Sequence, residues 1–217
     1  VRTLRKKIGS MLFERTALSR KPEKLIELEL EALRQDDQLT PDLVFRDPYF
    51  LDFLGLKEAY QEKDFEAAIL RELESFIMEL GAGFSFVARQ KRIIVDEDDF
   101  YLDLLFYHRD LRRLVVIELK LDKFRPEHKG QMELYLRWLD RYERKQGEES
   151  PLGIILCAGK KDERIELLEL DRSGIHVAEY LMTLPPKELL RQKLHAAIER
   201  SRQQFENRLH LEEGGGS

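Results

Sequence analysis

The chain has 217 residues, enough for one good-sized core plus an appendage, and with 42% hydrophobic and 36% charged residues it reads as a globular protein with a charged surface. A net charge of −5 argues against a protein that coats nucleic acid over its whole surface, although a local basic groove stays open because binding depends on where charge sits. One cysteine, Cys157, leaves no internal disulfide and no cysteine-based zinc cluster; no apolar run reaches membrane-spanning length, and the start VRTLRKKIGS lacks a signal peptide's apolar segment. A reducing, cytoplasmic setting without membrane association is expected.

Residues 1–40 read as helical and polar, with eight Lys or Arg against two Glu between Val1 and Lys24. Such a run touches nucleic acid in some proteins and is a solvated face in more of them. Thr40-Pro41-Asp42 and Asp47-Pro48 punctuate the chain, so 1–40 is expected to be the trailing helix of an upstream domain or a linker. The main domain is placed at 41–211, and 212–217, ending in three glycines and a serine, as a tail or linker remnant of a longer chain.

A helix is predicted from a cap at Asp64 to the glycines Gly81 and Gly83, with Ile69, Leu70, Leu73, Phe76, Ile77 and Leu80 at helical spacing. Glu66 falls on that apolar arc near the first turn. It points to the core, or it is an ordinary first-turn acid favoured by the helix dipole; Glu72, Glu74 and Glu79 fall at the arc's edges or outside it. Phe84 to Val95 reads as a strand with a bend, and Asp96-Glu97-Asp98-Asp99 as a hairpin turn, since it lacks the spaced ligands of a calcium loop. Strands at 100–107 and 113–121 follow, completing an antiparallel meander. Leu121 to Gly130 reads as a loop carrying Lys123, Arg125 and Lys129. Gln131 is expected to open a second helix, facing inward as a site residue or serving as a helix-start hydrogen-bonder. Leu152 to Cys157 reads as a central strand parallel to an earlier one, Arg164 to Leu170 as another strand, Ile175 to Tyr180 as a short edge strand, and 187–208 as a long terminal helix. The fold class expected is α/β or α+β, with helices flanking a central mixed sheet in αβββαβ order and added C-terminal strands.

Two core strands carry charges where hydrophobes would be ordinary: Asp103 in LDLLF and Glu118 in LVVIELK, with Lys120 two residues on. Strand alternation puts Glu118 and Lys120 on one face, while the Leu119 carbonyl could still reach a metal. Two carboxylates and a lysine, with Glu66 as a further carboxylate, suit a hard cation such as Mg²⁺ or Mn²⁺, which polarises a phosphoryl oxygen and lowers the pKa of bound water. Lys120 would orient or deprotonate that water or stabilise charge at phosphorus. Lys123, Arg125 and Lys129 would meet backbone phosphates. The bland reading is a same-face ion pair on an exposed strand. No glycine-rich phosphate loop is present, the histidines do not fall at zinc-ligand spacing, and mid-strand Cys157 reads as a small hydrophobe.

Asp103, Glu118-x-Lys120 and then Gln131 resemble the PD-(D/E)xK nuclease superfamily, with its restriction-endonuclease-like core. LFERTALS at 12–19, FLGL at 53–56, ELGAGFSFVARQ at 79–90, YLDLLFYHRDL at 101–111 and VVIELKLDKFRPEHKGQM at 115–132 resemble the bacterial YhcG-type nucleases, over nearly the whole chain. Leu102 stands where the superfamily's name has proline, which does not bear on metal binding. The resemblance implies a metal-dependent phosphodiesterase acting on DNA or another nucleic acid, with Asp103 and Glu118 as metal ligands and Lys120 catalytic. It also implies an upstream DNA-binding domain, of which this chain holds the last helix. Glu66 carries over as the first helix's acid less securely, with Glu72 as the reserve. Many nucleases of this type pair to cut two strands, so a homodimer is an expectation. The alternative is a catalytically silent module that keeps the fold and binds nucleic acid or protein; a third reading is a chain inactive without its upstream domain.

Overall fold

The structure is a computed structural model that describes residues 17–18, 41–56, 61–183, 186 and 188–192. The expectations for most of 1–40, for the terminal helix beyond 192 and for the tail lie outside the described residues; 17–18 and 188–192 are helical. The chain divides into two compact units, Leu39–Thr183 and Val1–Gln38 with Leu184–Ser217. The strands described all belong to the first.

In chain order that unit runs α1 (Pro41–Val44), β1 (Tyr49–Phe50), α2 (Glu62–Arg71), α3 (Leu73–Leu80), β2 (Phe84–Val95), β3 (Asp98–His108), β4 (Arg113–Lys123), α4 (Pro126–Tyr142), β5 (Leu152–Gly159), α5 (Asp162–Leu167) and β6 (Ile175–Leu181), with 3₁₀ turns at Asp52–Leu54 and Leu170–Ser173. The six strands form one sheet in the order β1-β6-β5-β4-β3-β2. β2, β3 and β4 are an antiparallel meander, while β4, β5, β6 and β1 run parallel. The mixed α+β sheet with flanking helices is thus as the sequence predicts, and so is β5 beside β4 at the centre.

Alternation along β4 and β5 explains the layers. Val115, Ile117, Leu119, Ile154 and Leu156 pack on Phe65, Ala68 and Ile69 of α2 and Phe76 and Leu80 of α3. Val116, Ile155 and Cys157 face the other way, onto Met132, Tyr135, Leu136 and Leu139 of α4. Both faces of the central strands are covered, which is why they read as nearly unbroken apolar runs.

The β2–β3 hairpin turns on Asp96 and Glu97, whose positive φ values of 49° and 72° suit a two-residue turn. Near the sheet, Leu104 and Phe106 face the α2–α3 layer; farther out, Phe100 and Leu102 face α4. Leu102 and Leu104 should share a face by strand periodicity, so the hairpin rolls over between them. A register shift between Phe86 and Ala88 and a left-handed Gln90 (φ 42°) accompany that roll. The Trp138 indole N–H donates to the Ile94 carbonyl at 3.2 Å and ties the outer hairpin to α4.

Several sequence expectations need correction. The first long helix is two, broken at Glu72 (φ −104°, ψ 33°). It is capped by Gln61 rather than Asp64, whose carboxylate accepts the Gln61 N–H at 2.9 Å from the first turn. α4 starts at Pro126, where a missing N–H costs nothing, so Gln131 lies inside the helix and 126–130 is not a loop. Arg164 to Leu170 is not a strand: Ile165 and Leu168, three apart, pack on the α4-side cluster while Leu167 is 77% exposed, which is helical spacing. β6 is not the edge, because Tyr49 and Phe50 of β1 pair with Tyr180 and Leu181. A two-residue strand is too short to leave a periodic signal. Among the described residues, no helix is long and apolar enough to cross a membrane.

Candidate active site

The β3–β4 ladder runs from His108 opposite Arg113 to Leu104 opposite Ile117, and there it stops. Asp103 and Glu118 come next on the two strands. The backbone amides freed at this parting are taken up by the two carboxylates. The Asp103 N–H donates to Glu118 Oε1 at 3.2 Å, and the Leu119 N–H donates to Asp103 Oδ2 at 2.9 Å. Each acid is thereby fixed by the other's strand, and both stand where the sheet opens.

Glu118 is 2% exposed, one of two buried polar or charged residues among those described. Lys120 Nζ lies 3.3 Å from Glu118 Oε2, so alternation brings the pair together as the sequence implies, and the exposed-strand reading fails because both side chains are buried or nearly so. Burial, and then the charge of Asp103, push the Glu118 carboxyl up to about 8, against the opposing pull of Lys120. The site carries more negative charge than one ammonium neutralises.

Glu66, on the first turns of α2, reaches the same place. The Gln90 side-chain amide donates to Glu66 Oε2 at 2.9 Å and to Asp103 Oδ1 at 3.1 Å. Burial first, and Asp103 second, raise the Glu66 carboxyl, with Gln90 and Arg89 acting the other way. Of the two sequence readings for Glu66, the inward one holds; Glu72 sits at the break between α2 and α3.

Gln131 does not touch the carboxylates directly. Its amide donates to the Tyr135 hydroxyl at 2.7 Å, and that hydroxyl donates to the Tyr101 carbonyl at 3.2 Å. Burial first, and then the charges of Glu118 and Asp103, push the Tyr135 phenol up to about 12, against the pull of the Gln131 bond. One helical turn earlier, the His128 ring accepts the Arg125 N–H at 3.2 Å and caps α4, and burial followed by the nearby Lys120 charge lowers its pKa. Sequence reasoning passed over Gln90, Tyr135 and His128. For Tyr135 the signal existed: it sits one turn after Gln131 on the same apolar face.

The three loop cations differ. Lys123 ends β4 and is exposed. Arg125 is exposed and pairs with Asp122 at 2.8 Å. Lys129 is half-buried, donating to the Leu168 carbonyl at 2.8 Å and lying 3.5 Å from Glu133. Cys157 packs as the small hydrophobe expected, its thiol pushed up to about 11 by burial.

The donor set is all oxygen, which suits Mg²⁺ or Mn²⁺ rather than softer metals. A buried, under-neutralised Glu118 is the feature that fits a cation. Among the described residues, no three His, Cys, Asp or Glu side chains stand close enough to hold an ion as they are; the Gln90 amide lies between two of the acids.

A family profile described as YhcG PDDEXK nuclease domain matches residues 42–195. The curated protein "Putative nuclease YhcG" of Escherichia coli (strain K12) is 37% identical over 196 residues, covering 89% of this chain and 51% of its own length. The chain thus spans about half of that relative. Among solved structures, a repair endonuclease from Pyrococcus abyssi has a TM-score of 0.39 and 26% identity, over 60% of this chain and 50% of its own. The EndoMS-dsDNA2 complex has a TM-score of 0.42 and 19% identity, over 60% and 48%. On the profile match and the extent of the E. coli likeness, this chain belongs to the YhcG PDDEXK nuclease domain family.

Proposed function

We propose that the chain is a Mg²⁺- or Mn²⁺-dependent nuclease domain that hydrolyses phosphodiester bonds of nucleic acid, DNA first among them, by attack of water in line with the leaving oxygen. The observation that carries this is the interlocked pair Asp103 and Glu118, the first half-buried and the second buried at the point where two core strands part, with Lys120 beside it. The ion, when bound, supplies Lewis-acid polarisation of the phosphoryl oxygen and a more acidic water.

The chain's own residues would do the rest. Asp103 and Glu118 hold the cation, with Glu66 as a further carboxylate. The bonds that fix their orientation come from backbone amides, which do not move with side-chain rotamers. Lys120 donates from Nζ, so it can orient the attacking water or offset charge developing at phosphorus. Gln131 steadies Tyr135, and through it the opening strand at Tyr101, which makes it a positioning residue. Lys123, Arg125 and Lys129 contact backbone phosphates, Lys129 after leaving Leu168. Their contribution is sequence-independent and salt-sensitive. Pairing of two copies is a further part of the proposal, and light scattering that shows only monomer at high concentration removes it.

The test is cleavage of labelled single-stranded, duplex and branched DNA in Mg²⁺, Mn²⁺ or EDTA, by the chain and by Asp103→Ala. Cleavage that needs both the ion and Asp103 is expected. Identical, metal-independent behaviour of the two proteins would favour the silent interaction module instead.

A further inference from the structure

Gln90 has three properties that an ordinary strand residue lacks. It is left-handed, with φ 42°, a conformation that non-glycine residues rarely adopt. The register on either side, Arg89 opposite Leu104 and Lys91 opposite Leu102, sets it across from Asp103. And its single amide nitrogen donates to carboxylates on two elements, Glu66 of α2 and Asp103 of β3, at 2.9 and 3.1 Å.

An amide –NH₂ has two protons that diverge by about 120°, so two acceptors served by one nitrogen stand roughly 5 Å apart. Neighbouring oxygens around one octahedral Mg²⁺ or Mn²⁺ stand only about 3 Å apart, given metal–oxygen distances of about 2.1 Å. While the amide bridges them, the two oxygens it holds, Glu66 Oε2 and Asp103 Oδ1, therefore cannot be neighbours around one ion.

We propose that Gln90 is a positioning residue that stands in for the cation. Its amide holds Glu66 and Asp103 apart and partly neutralised in the ion-free protein, and it withdraws to let Glu66 close on the ion. Gln90 thus sets the ion affinity and makes Glu66 a conditional ligand. This rests on the metal-dependent reading above.

The consequence runs against the usual effect of deleting a polar site residue. Without the amide, no hydrogen bonds to charge need breaking when the ion arrives. Gln90→Ala is expected to bind Mn²⁺ about tenfold more tightly than the wild type by calorimetry, and to melt at a lower temperature than wild type in EDTA but not in saturating Mn²⁺. Gln90→Asn, which tolerates the left-handed backbone but is too short to bridge both acids, should behave the same way. Asp103→Asn is the control for where the ion binds. If wild type binds Mn²⁺, Asp103→Asn loses it, and both Gln90 variants bind with unchanged or weaker affinity, the stand-in role is wrong and the nuclease reading survives. If wild type binds no Mn²⁺ at millimolar concentration, both fall.

Discussion

Glu118→Gln should change how the stability of the ion-free protein depends on pH. The Glu118 carboxyl rises from 4.5 to about 8 on folding, through burial first and Asp103 second. The folded chain therefore holds a proton that the unfolded chain has released across that window, so stability falls as pH rises through it. The full gap, at about 1.4 kcal/mol per pH unit, is worth about 5 kcal/mol, of which about 4 kcal/mol is lost between about pH 5 and about pH 9. Glutamine fills nearly the same volume and does not titrate. It leaves Lys120 without its carboxylate partner, which offsets the two proteins. The informative quantity is therefore the slope, and not the offset between the proteins. Urea unfolding in EDTA at several pH values should show wild-type stability falling steeply toward alkaline pH and the variant nearly flat. Parallel curves would refute the claim that Glu118 is held against its own ionisation. Adding Mn²⁺ should flatten the wild-type curve, and the same substitution should abolish cleavage.

Further outcomes follow from particular contacts. Lys120→Met removes a cation that draws the Glu118 carboxyl down, so the alkaline stability loss should shift to higher pH, and cleavage should fall by about 10²-fold or more in single-turnover assays. Tyr135→Phe breaks the link from Gln131 to the Tyr101 carbonyl, and should cost about 1–2 kcal/mol in urea unfolding along with part of the activity. Gly83→Ala adds a Cβ at φ 96° that would lie 2.8 Å from the His108 ring, and is expected to cost about 2–3 kcal/mol in the same assay with the ion affinity unchanged. Arg125→Ala should weaken DNA binding uniformly across sequences and reduce the slope of log affinity against log salt by about 0.9, while Lys129→Ala should do so less, because its amine is already bound to Leu168 and Glu133.

The candidate trio of Asp103, Glu118 and Lys120 is legible because charge inside an apolar run is expensive. Asp103 in LDLLF and Glu118 in VVIELK mark themselves against their neighbours, and a two-residue offset on a strand fixes the relation of Glu118 to Lys120. Glu66 was half legible: helical phase put it on the inner arc, but an acid in a first turn has an ordinary explanation. Gln90 is not legible, because a glutamine in the polar run Arg89 to Arg92 is unremarked until register sets it opposite Asp103. The errors in the fold share a cause. Pro126 and Gly130 read as loop punctuation, yet proline suits a first helical position and nothing crowds Gly130 within 4 Å. The break at Glu72 has no glycine or proline to announce it, and the Arg164 to Leu170 segment, rich in isoleucine and leucine, serves a strand or a helix until tertiary packing chooses.

The most direct measurement is cleavage of end-labelled DNA by the chain in Mn²⁺ and in EDTA, beside Asp103→Asn and Lys120→Met. Products are predicted only with the ion, none with Asp103→Asn and at least about 10²-fold fewer with Lys120→Met than with wild type. Cutting that persists in EDTA or in Asp103→Asn, or an absence of both cutting and Mn²⁺ binding in the wild type, would contradict a hydrolytic metal site at the parting of β3 and β4.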